Sequence, residues 1–137
     1  MKGILLRSGL ALLATACCLR IAQAEVTTDA DGRTVLVGRD AAGRVLSRTV
    51  VNDDGSRHIT ASEYWAKSQV VKRRVDEDLD RTGRATKRVV REFDARGRVR
   101  ESRAVSIDAA GKERGTRTRY SYDAKGQCHK TTSRVER

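Results

Sequence analysis

The stretch that decides the fold runs from residue 93 to residue 128 and reads FDARGRVRESRAVSIDAAGKERGTRTRYSYDAKGQC. It holds three copies of one pattern, an apolar residue followed by Asp-x-x-Gly, at intervals of 14 and 15 residues. The runs between the copies contain several β-branched residues, and the whole chain contains no proline. Regular turns separated by runs without a break predict a series of strands.

The same pattern continues upstream with four further copies, so seven turns can be identified in the sequence. The interval between Gly55 and Gly83 is twice 14 residues, which predicts a decayed copy near residue 69. Residues 64–69 indeed resemble residues 122–127, and eight units result. The turn residues are Asp29 with Gly32, Asp40 with Gly43, Asn52 with Gly55, Asp80 with Gly83, Asp94 with Gly97, Asp108 with Gly111, and Asp123 with Gly126.

Turn chemistry explains both fixed residues of the unit. An Asp or Asn side chain accepts a backbone N–H two residues on, and Gly takes the positive φ of a hairpin turn with a bulge. Between turns, alternate residues such as Glu101, Arg103 and Val105 share one face of a strand about ten residues, or ~33 Å, long. The pattern predicts an all-β fold: a single antiparallel meander of repeated strands joined by Asp-x-x-Gly turns, after an N-terminal signal helix.

The first 24 residues have the features of an export signal. Lys2 and Arg7 are followed by an uncharged apolar stretch at residues 8–19, which is shorter than the ~20 residues of a membrane-spanning helix. Ala-Gln-Ala at residues 22–24 fits a cleavage site. We predict removal of residues 1–24, export to the periplasm or the medium, and one domain at 25–137 that frays at 25–39. A lipoprotein anchored through Cys17 is the alternative.

The residues that remain do not suggest catalysis. The Asp-rich turn at residue 29 lacks a calcium loop's final Glu, since Gly38 stands there. We expect Cys128 to be a small buried side chain, and His129 beside it to point to the opposite face, which excludes a nucleophile–base pair. The acidic run at 76–78 is typical of a solvated charged edge. The sequence predicts no enzyme, no metal and no cofactor.

Charge is the main functional signal, because 29 Lys and Arg stand against 18 Asp and Glu. Basic residues aligned across strands would bind polyanions such as anionic lipid, lipopolysaccharide or acidic glycans, whereas nucleic acid is not expected outside the cytoplasm. The alternative is that the charges keep a single sheet soluble and block pairing between sheet edges. We expect the aromatic residues to form the small core, with stacking on sugars as the alternative; they are Tyr64, Trp65, Tyr120 and Tyr122. Oligomers through sheet edges or Cys128 stay open. The candidate polyanion-binding residues are Lys72, Arg73, Arg74, Arg117 and Arg119.

The units at residues 93–99 and 122–128 resemble the tyrosine-aspartate (YD) repeat of RHS-type bacterial surface and toxin proteins, Tyr-Asp-x-x-Gly-Arg-Leu. Tyr precedes Asp only once here, at Tyr122, and eight units are too few to enclose a cargo. The resemblance implies a sheet of the same kind. It predicts a non-enzymatic exported repeat protein that acts as a binding or structural surface in the bacterial envelope, or an accessory or remnant fragment of a larger RHS-like system.

Overall fold

The computed structural model describes residues 21–137, which form one antiparallel sheet of nine strands. Each strand pairs with the next one in the chain, so the predicted all-β meander is confirmed. The predicted signal helix and Cys17 lie outside the described residues. Within residues 21–137, no helix is long and apolar enough to cross a membrane. The strands are β1 (Gln23–Thr28), β2 (Thr34–Arg39), β3 (Val45–Val51), β4 (Arg57–Tyr64), β5 (Val71–Leu79), β6 (Ala85–Phe93), β7 (Val99–Ile107), β8 (Glu113–Tyr122) and β9 (Cys128–Glu136).

Seven of the eight connections between these strands share one hydrogen-bond pattern, which the β6–β7 turn illustrates. The N–H of Gly97 donates to the carbonyl of Asp94 at 3.0 Å, and the N–H of Asp94 donates to the carbonyl of Arg98 at 2.8 Å. The Asp94 carboxylate accepts the N–H groups of Arg96 and Arg98, each at 2.9 Å. Gly97 has a φ of 82°, a conformation that glycine adopts without strain. All the hydrogen bonds that define this turn therefore lie within five consecutive residues, 94–98.

The β4–β5 connection stands where the decayed eighth unit is expected. Trp65 and Ser68 take the places of Asp and Gly, and the N–H of Ser68 donates to the carbonyl of Trp65 at 3.1 Å. The N–H of Trp65 donates to the carbonyl of Val70 at 3.0 Å, which makes this connection one residue longer than the others. Without a glycine, the positive φ falls on Lys67, at 54°.

Successive turns alternate between the two ends of the sheet, and the ends differ in composition. We call one the aromatic end, because all five aromatic residues lie beside its connections: Tyr64, Trp65, Phe93, Tyr120 and Tyr122. At the other end, which we call the aliphatic end, three of the turns are preceded by Val51, Leu79 and Ile107. The alternation of turns therefore separates two kinds of apolar side chain.

The compact apolar cluster of the sheet is aliphatic. Ile59, Ala61 and Leu79 are 0%, 6% and 4% exposed and pack with Ala85. The aromatic side chains are only half-buried at the strand ends, so the prediction of an aromatic core is wrong. At the end of a strand, a large ring is covered by neighbouring residues on one side only. A side chain in the middle of a strand has neighbours on both sides. All six residues of β1 are exposed, and fraying at 25–39 stays a prediction.

Candidate functional site

Strand pairing sorts the side chains of β5–β9 onto two faces, because residues directly opposite each other in an antiparallel pair share a face. One row of pairs joins Glu77, Arg88 and Val105, and we call the face that carries it the ion-paired face. Another row joins Ser102 and Thr118, and we call its face the hydroxyl face. The two faces differ in how their charges are matched.

The ion-paired face carries a network of four charged side chains. Arg88 Nε lies 2.6 Å from Glu77 Oε2, and its Nη1 lies 3.0 Å from Glu113 Oε1. Arg103 Nη2 lies 2.7 Å from the other oxygen of Glu113. Glu77 is only 9% exposed, so its carboxylate depends on Arg88 for a hydrogen bond that water no longer supplies.

The acidic run of β5 is divided between the faces. Glu77 joins the network just described, so the prediction of a solvated charged edge is wrong for this residue. Asp76 and Asp78 lie on the opposite side of the strand, where His58 Nδ1 is 2.6 Å from Asp78 and the Thr60 hydroxyl donates to Asp76 at 2.7 Å. The cause is strand periodicity, which sends neighbouring residues to opposite faces.

The cations predicted to bind polyanions do not form one stripe, because three lie in β5 and two lie in β8, three strands away. Arg117 Nε and Arg119 Nε lie 3.0 Å and 3.5 Å from the same oxygen of Glu101. The two arginines therefore share one carboxylate on the ion-paired face, which leaves this group of three side chains with a net positive charge. Of the β5 residues, Arg74 has a buried Nε without a hydrogen-bond partner among the described residues, while Lys72 and Arg73 line a groove.

This groove opens at the aromatic end of the sheet, and we call it the aromatic-end groove. It consists of two adjoining cavities of about 350 and 170 Å³, which share Glu92 and Arg100. The smaller cavity is also lined by Trp65, Lys72 and Arg73, and the larger by Glu101, Arg119 and Tyr120. The structure thus brings together three of the five predicted cations. Glu92 and Arg100 were missed as site residues, since only the pairing of strands places them beside the others.

The hydroxyl face of β6–β9 has a floor of small side chains, formed by Ser102, Ala104, Ser106, Thr116, Thr118 and Thr132. Five exposed cations surround this floor: Lys87, Arg91, Arg114, Lys130 and Arg134. Arg91 lies 3.5 Å from Asp76, and Arg114 lies 3.6 Å from Glu136. Among residues 21–137, the other three cations form no ion pair. Sequence reasoning missed this set, because its members come from three strands and meet only through the register.

At the aromatic end, the residues of the repeat also bind one another. The Tyr122 hydroxyl donates to the carbonyl of Val99 at 2.8 Å, and the guanidinium of Arg98 lies 4.4 Å from the Tyr122 ring centroid. Arg98 Nε in turn lies 2.7 Å from Asp94. The same arrangement joins Tyr64 to Val45, Arg44 and Asp40. The Tyr and the Asp-x-x-Gly-Arg of the repeat thus connect consecutive turns at this end.

Hydrogen bonds lower the pKa of six turn aspartates. Burial has the largest single effect on the pKa of Asp94 and raises it, but the N–H and guanidinium of Arg98 together lower this pKa below its ordinary value. For Asp29 and Asp123, the hydrogen bond from the backbone N–H four residues on is the largest effect and lowers the pKa. Lowered pKa values also occur at Asp40, Asp54 and Asp80.

These shifts predict that acid destabilises the protein. A carboxyl with a lowered pKa in the folded state contributes stability above its unfolded pKa of about 3.9, and this contribution is lost as the pH falls through the folded value. We expect the double variant Asp94→Asn/Asp123→Asn to lose less of its melting temperature than the wild type between about pH 5 and pH 2.5. Thermal melts followed by circular dichroism measure this difference.

The matched control replaces two exposed turn residues, Asp31→Asn/Asp53→Asn. It should follow the wild-type pH dependence. An acid sensitivity that is the same in both double variants would contradict the role assigned to the turn carboxylates.

Cys128 is exposed, so the expectation of a buried thiol is wrong. It begins β9, which has a neighbouring strand on one side only among the described residues. Cys128 lies opposite Tyr122, whose pKa is raised first by burial and then by the thiol. His129 Nε2 is 3.4 Å from Asp123. Within residues 21–137, no cluster of His, Cys, Asp and Glu has the arrangement of a metal site.

No protein-family model matches the chain, and neither does any curated protein. Membership in the YD-repeat family therefore stays a prediction that rests on the motif and its spacing.

Proposed function

We propose that this is a non-enzymatic exported repeat protein whose open sheet acts as a binding surface in the bacterial envelope. We further propose that the hydroxyl face binds a polyanion rich in phosphate or sulfate. The observation that carries the proposal is the contrast between the two faces. On the ion-paired face Arg88, Arg103 and Arg117 are each paired with a glutamate, whereas on the hydroxyl face Lys87, Lys130 and Arg134 form no ion pair with any described residue.

Cations without partners attract an anionic ligand over several ångströms, and the attraction weakens with salt. The side chains of the floor between these cations are small. A chain of phosphates or sulfates can therefore approach the sheet closely. Hydroxyls such as those of Ser102 and Thr116 can donate hydrogen bonds to the anionic oxygens. The five cations and the floor together offer both charge and directed donors.

The envelope as the place of action rests on the export signal predicted at residues 1–24. Anionic lipid and lipopolysaccharide are the polyanions of that compartment which the cationic face would meet. A purely structural role is the alternative, in which the charges keep the sheet soluble and its edges unpaired. An accessory or remnant fragment of an RHS-like system is a further alternative, for which RHS-type genes beside its own would be the discriminating observation.

Retention on a heparin column tests the polyanion proposal. We expect the wild type to elute late and its affinity to fall steeply with salt. The double variant Lys130→Gln/Arg134→Gln should elute at clearly lower salt, with a salt slope smaller by about one unit for each cation that contacts the polymer.

The matched control is Arg96→Gln/Lys125→Gln, which removes two exposed cations from turns outside the hydroxyl face. It should elute close to the wild type. Retention that does not change between low and moderate salt would refute polyanion binding, and equal losses in both double variants would refute the assignment to the hydroxyl face.

A further inference from the structure

We infer that the aromatic-end groove binds an oligosaccharide that carries a carboxylate. This site is separate from the hydroxyl face and takes a ligand of different chemistry, so it goes beyond the proposed function. The inference rests on three features of the groove: charged side chains that are left unpaired, aromatic rings beside them, and a near balance of positive and negative charge.

The first feature is a row of charged residues across the sheet. Glu63 stands opposite Arg73, Arg73 opposite Glu92, and Glu92 opposite Glu101. Glu101 is matched by two arginines, but Glu92 forms no ion pair with any described residue although it faces another carboxylate. Like charges placed directly opposite each other destabilise a sheet. A carboxylate kept in this position is available to accept hydrogen bonds from a ligand.

Guanidinium groups supply the complementary donors. Arg100 lines both cavities, and Arg73 lines the smaller one. Neither forms an ion pair within residues 21–137, so both keep the fork of N–H donors that fits a carboxylate. The groove therefore holds donors beside acceptors, and the hydroxyls of a sugar can serve as partners for both.

Aromatic rings form the second feature. Trp65 and Phe93 line the smaller cavity. The ammonium of Lys72 lies 5.1 Å from the centroid of the Trp65 ring. A large amphipathic ring beside polar groups suits a ligand with apolar ring faces and polar edges, which is the chemistry of a sugar. The larger cavity, at about 350 Å³, also lies within the size range of ligand pockets of about 300–1,000 Å³.

Charge balance excludes a dense polyanion from this groove. Four cations line it, Lys72, Arg73, Arg100 and Arg119, but three glutamates line it too. A chain of phosphates or sulfates would meet the carboxylates Glu63, Glu92 and Glu101 and be repelled. A ligand with many hydroxyls and few charges satisfies the same groups without repulsion.

Trp65 is the only tryptophan of the chain, so its fluorescence reports on the groove directly. We expect sialyllactose, an oligosaccharide with a single carboxylate, to change the emission saturably. Lactose, which has no carboxylate, should bind more weakly, and inorganic polyphosphate should leave the emission unchanged. Arg100→Gln should weaken sialyllactose binding about tenfold or more, as the loss of a charge-assisted hydrogen bond does.

Arg96→Gln is the matched control, since this exposed arginine lies in the neighbouring turn and does not line the groove. It should bind like the wild type. If Arg100→Gln melts at a lower temperature than the wild type, Arg73→Gln provides the second test and should also weaken binding. No saturable change in emission, or wild-type affinity in both groove variants, would overturn the inference.

The outcome is independent of the heparin experiment. Heparin retention that is lost in Lys130→Gln/Arg134→Gln while the Trp65 titration stays intact would support two separate sites. A polyphosphate response that depends on Arg100 would overturn the saccharide assignment, because the groove would then accept a dense anion. Saccharide binding without any heparin retention would overturn the proposed function alone.

Discussion

Gly115→Ala is expected to destabilise the protein by about 3 kcal/mol or more, at the upper end of what overpacking by one side chain costs. A Cβ at this position would overlap the carbonyl oxygen of Ala104 and lie 2.7 Å from the Cα of Val105. Both are backbone atoms of β7, which cannot rotate away as a side chain would. Strands β7 and β8 would have to separate locally, with loss of their ladder hydrogen bonds.

Urea denaturation followed by circular dichroism measures this effect. Gly111→Ala serves as the control, because the space around that turn glycine is open but its φ is 82°. Its cost is conformational only, about 1 kcal/mol. Equal midpoints for the two variants would contradict the close approach of β7 and β8 at residue 115.

Glu113→Gln is expected to cost about 2 kcal/mol. The substitution keeps the size of the side chain but removes the charge that joins Arg88 and Arg103, so two guanidinium groups lose their shared partner. The side chains of Glu113, Arg88 and Arg103 are 16%, 36% and 21% exposed. Water can therefore hydrate the two guanidinium groups that lose their partner. The loss in the free energy of unfolding stays below that of breaking a fully buried ion pair.

The control for this variant is Glu136→Gln in the neighbouring strand. Glu136 is 63% exposed and pairs at 3.4 Å with Lys112 and at 3.6 Å with Arg114. Exposed pairs contribute little, so the change should stay within about 0.5 kcal/mol. A double-mutant cycle with Arg88→Met gives the coupling energy directly. A coupling near zero would show that the network does not act as a unit.

The fold could be predicted because its signals are local. The Asp94 carboxylate and the Gly97 φ act within one turn, and the same chemistry recurs at near-regular intervals. The decayed unit could also be placed, since the doubled interval leaves room for one more strand and one more turn. Even there, the positive φ of Lys67 could not be predicted, because it depends on one extra residue in the connection.

The candidate site could be predicted only in part. Lys72, Arg73 and Arg119 are three of the residues predicted to bind a polyanion, and they line the aromatic-end groove. Their glutamate neighbours come from β6 and β7, and no local signal connects these residues. The hydroxyl face was missed for the same reason, since Lys87 and Arg134 are far apart in sequence and approach only across four adjacent strands.

The sequence by itself determined the class of fold, the position of the turns and the cationic excess, because each depends on residues within one repeat. The tertiary structure decided which charges are matched, that Glu77 is buried, and that Cys128 is exposed. The physical reason is that the register of the strands decides which side chains face each other. Neighbouring residues of a strand point to opposite faces, and the bulges at Glu63/Tyr64 and Glu92/Phe93 shift the pairing by one residue. At each of these bulges the shift gives the aromatic residue that follows, Tyr64 or Phe93, a different partner, and only the assembled sheet reveals such pairs.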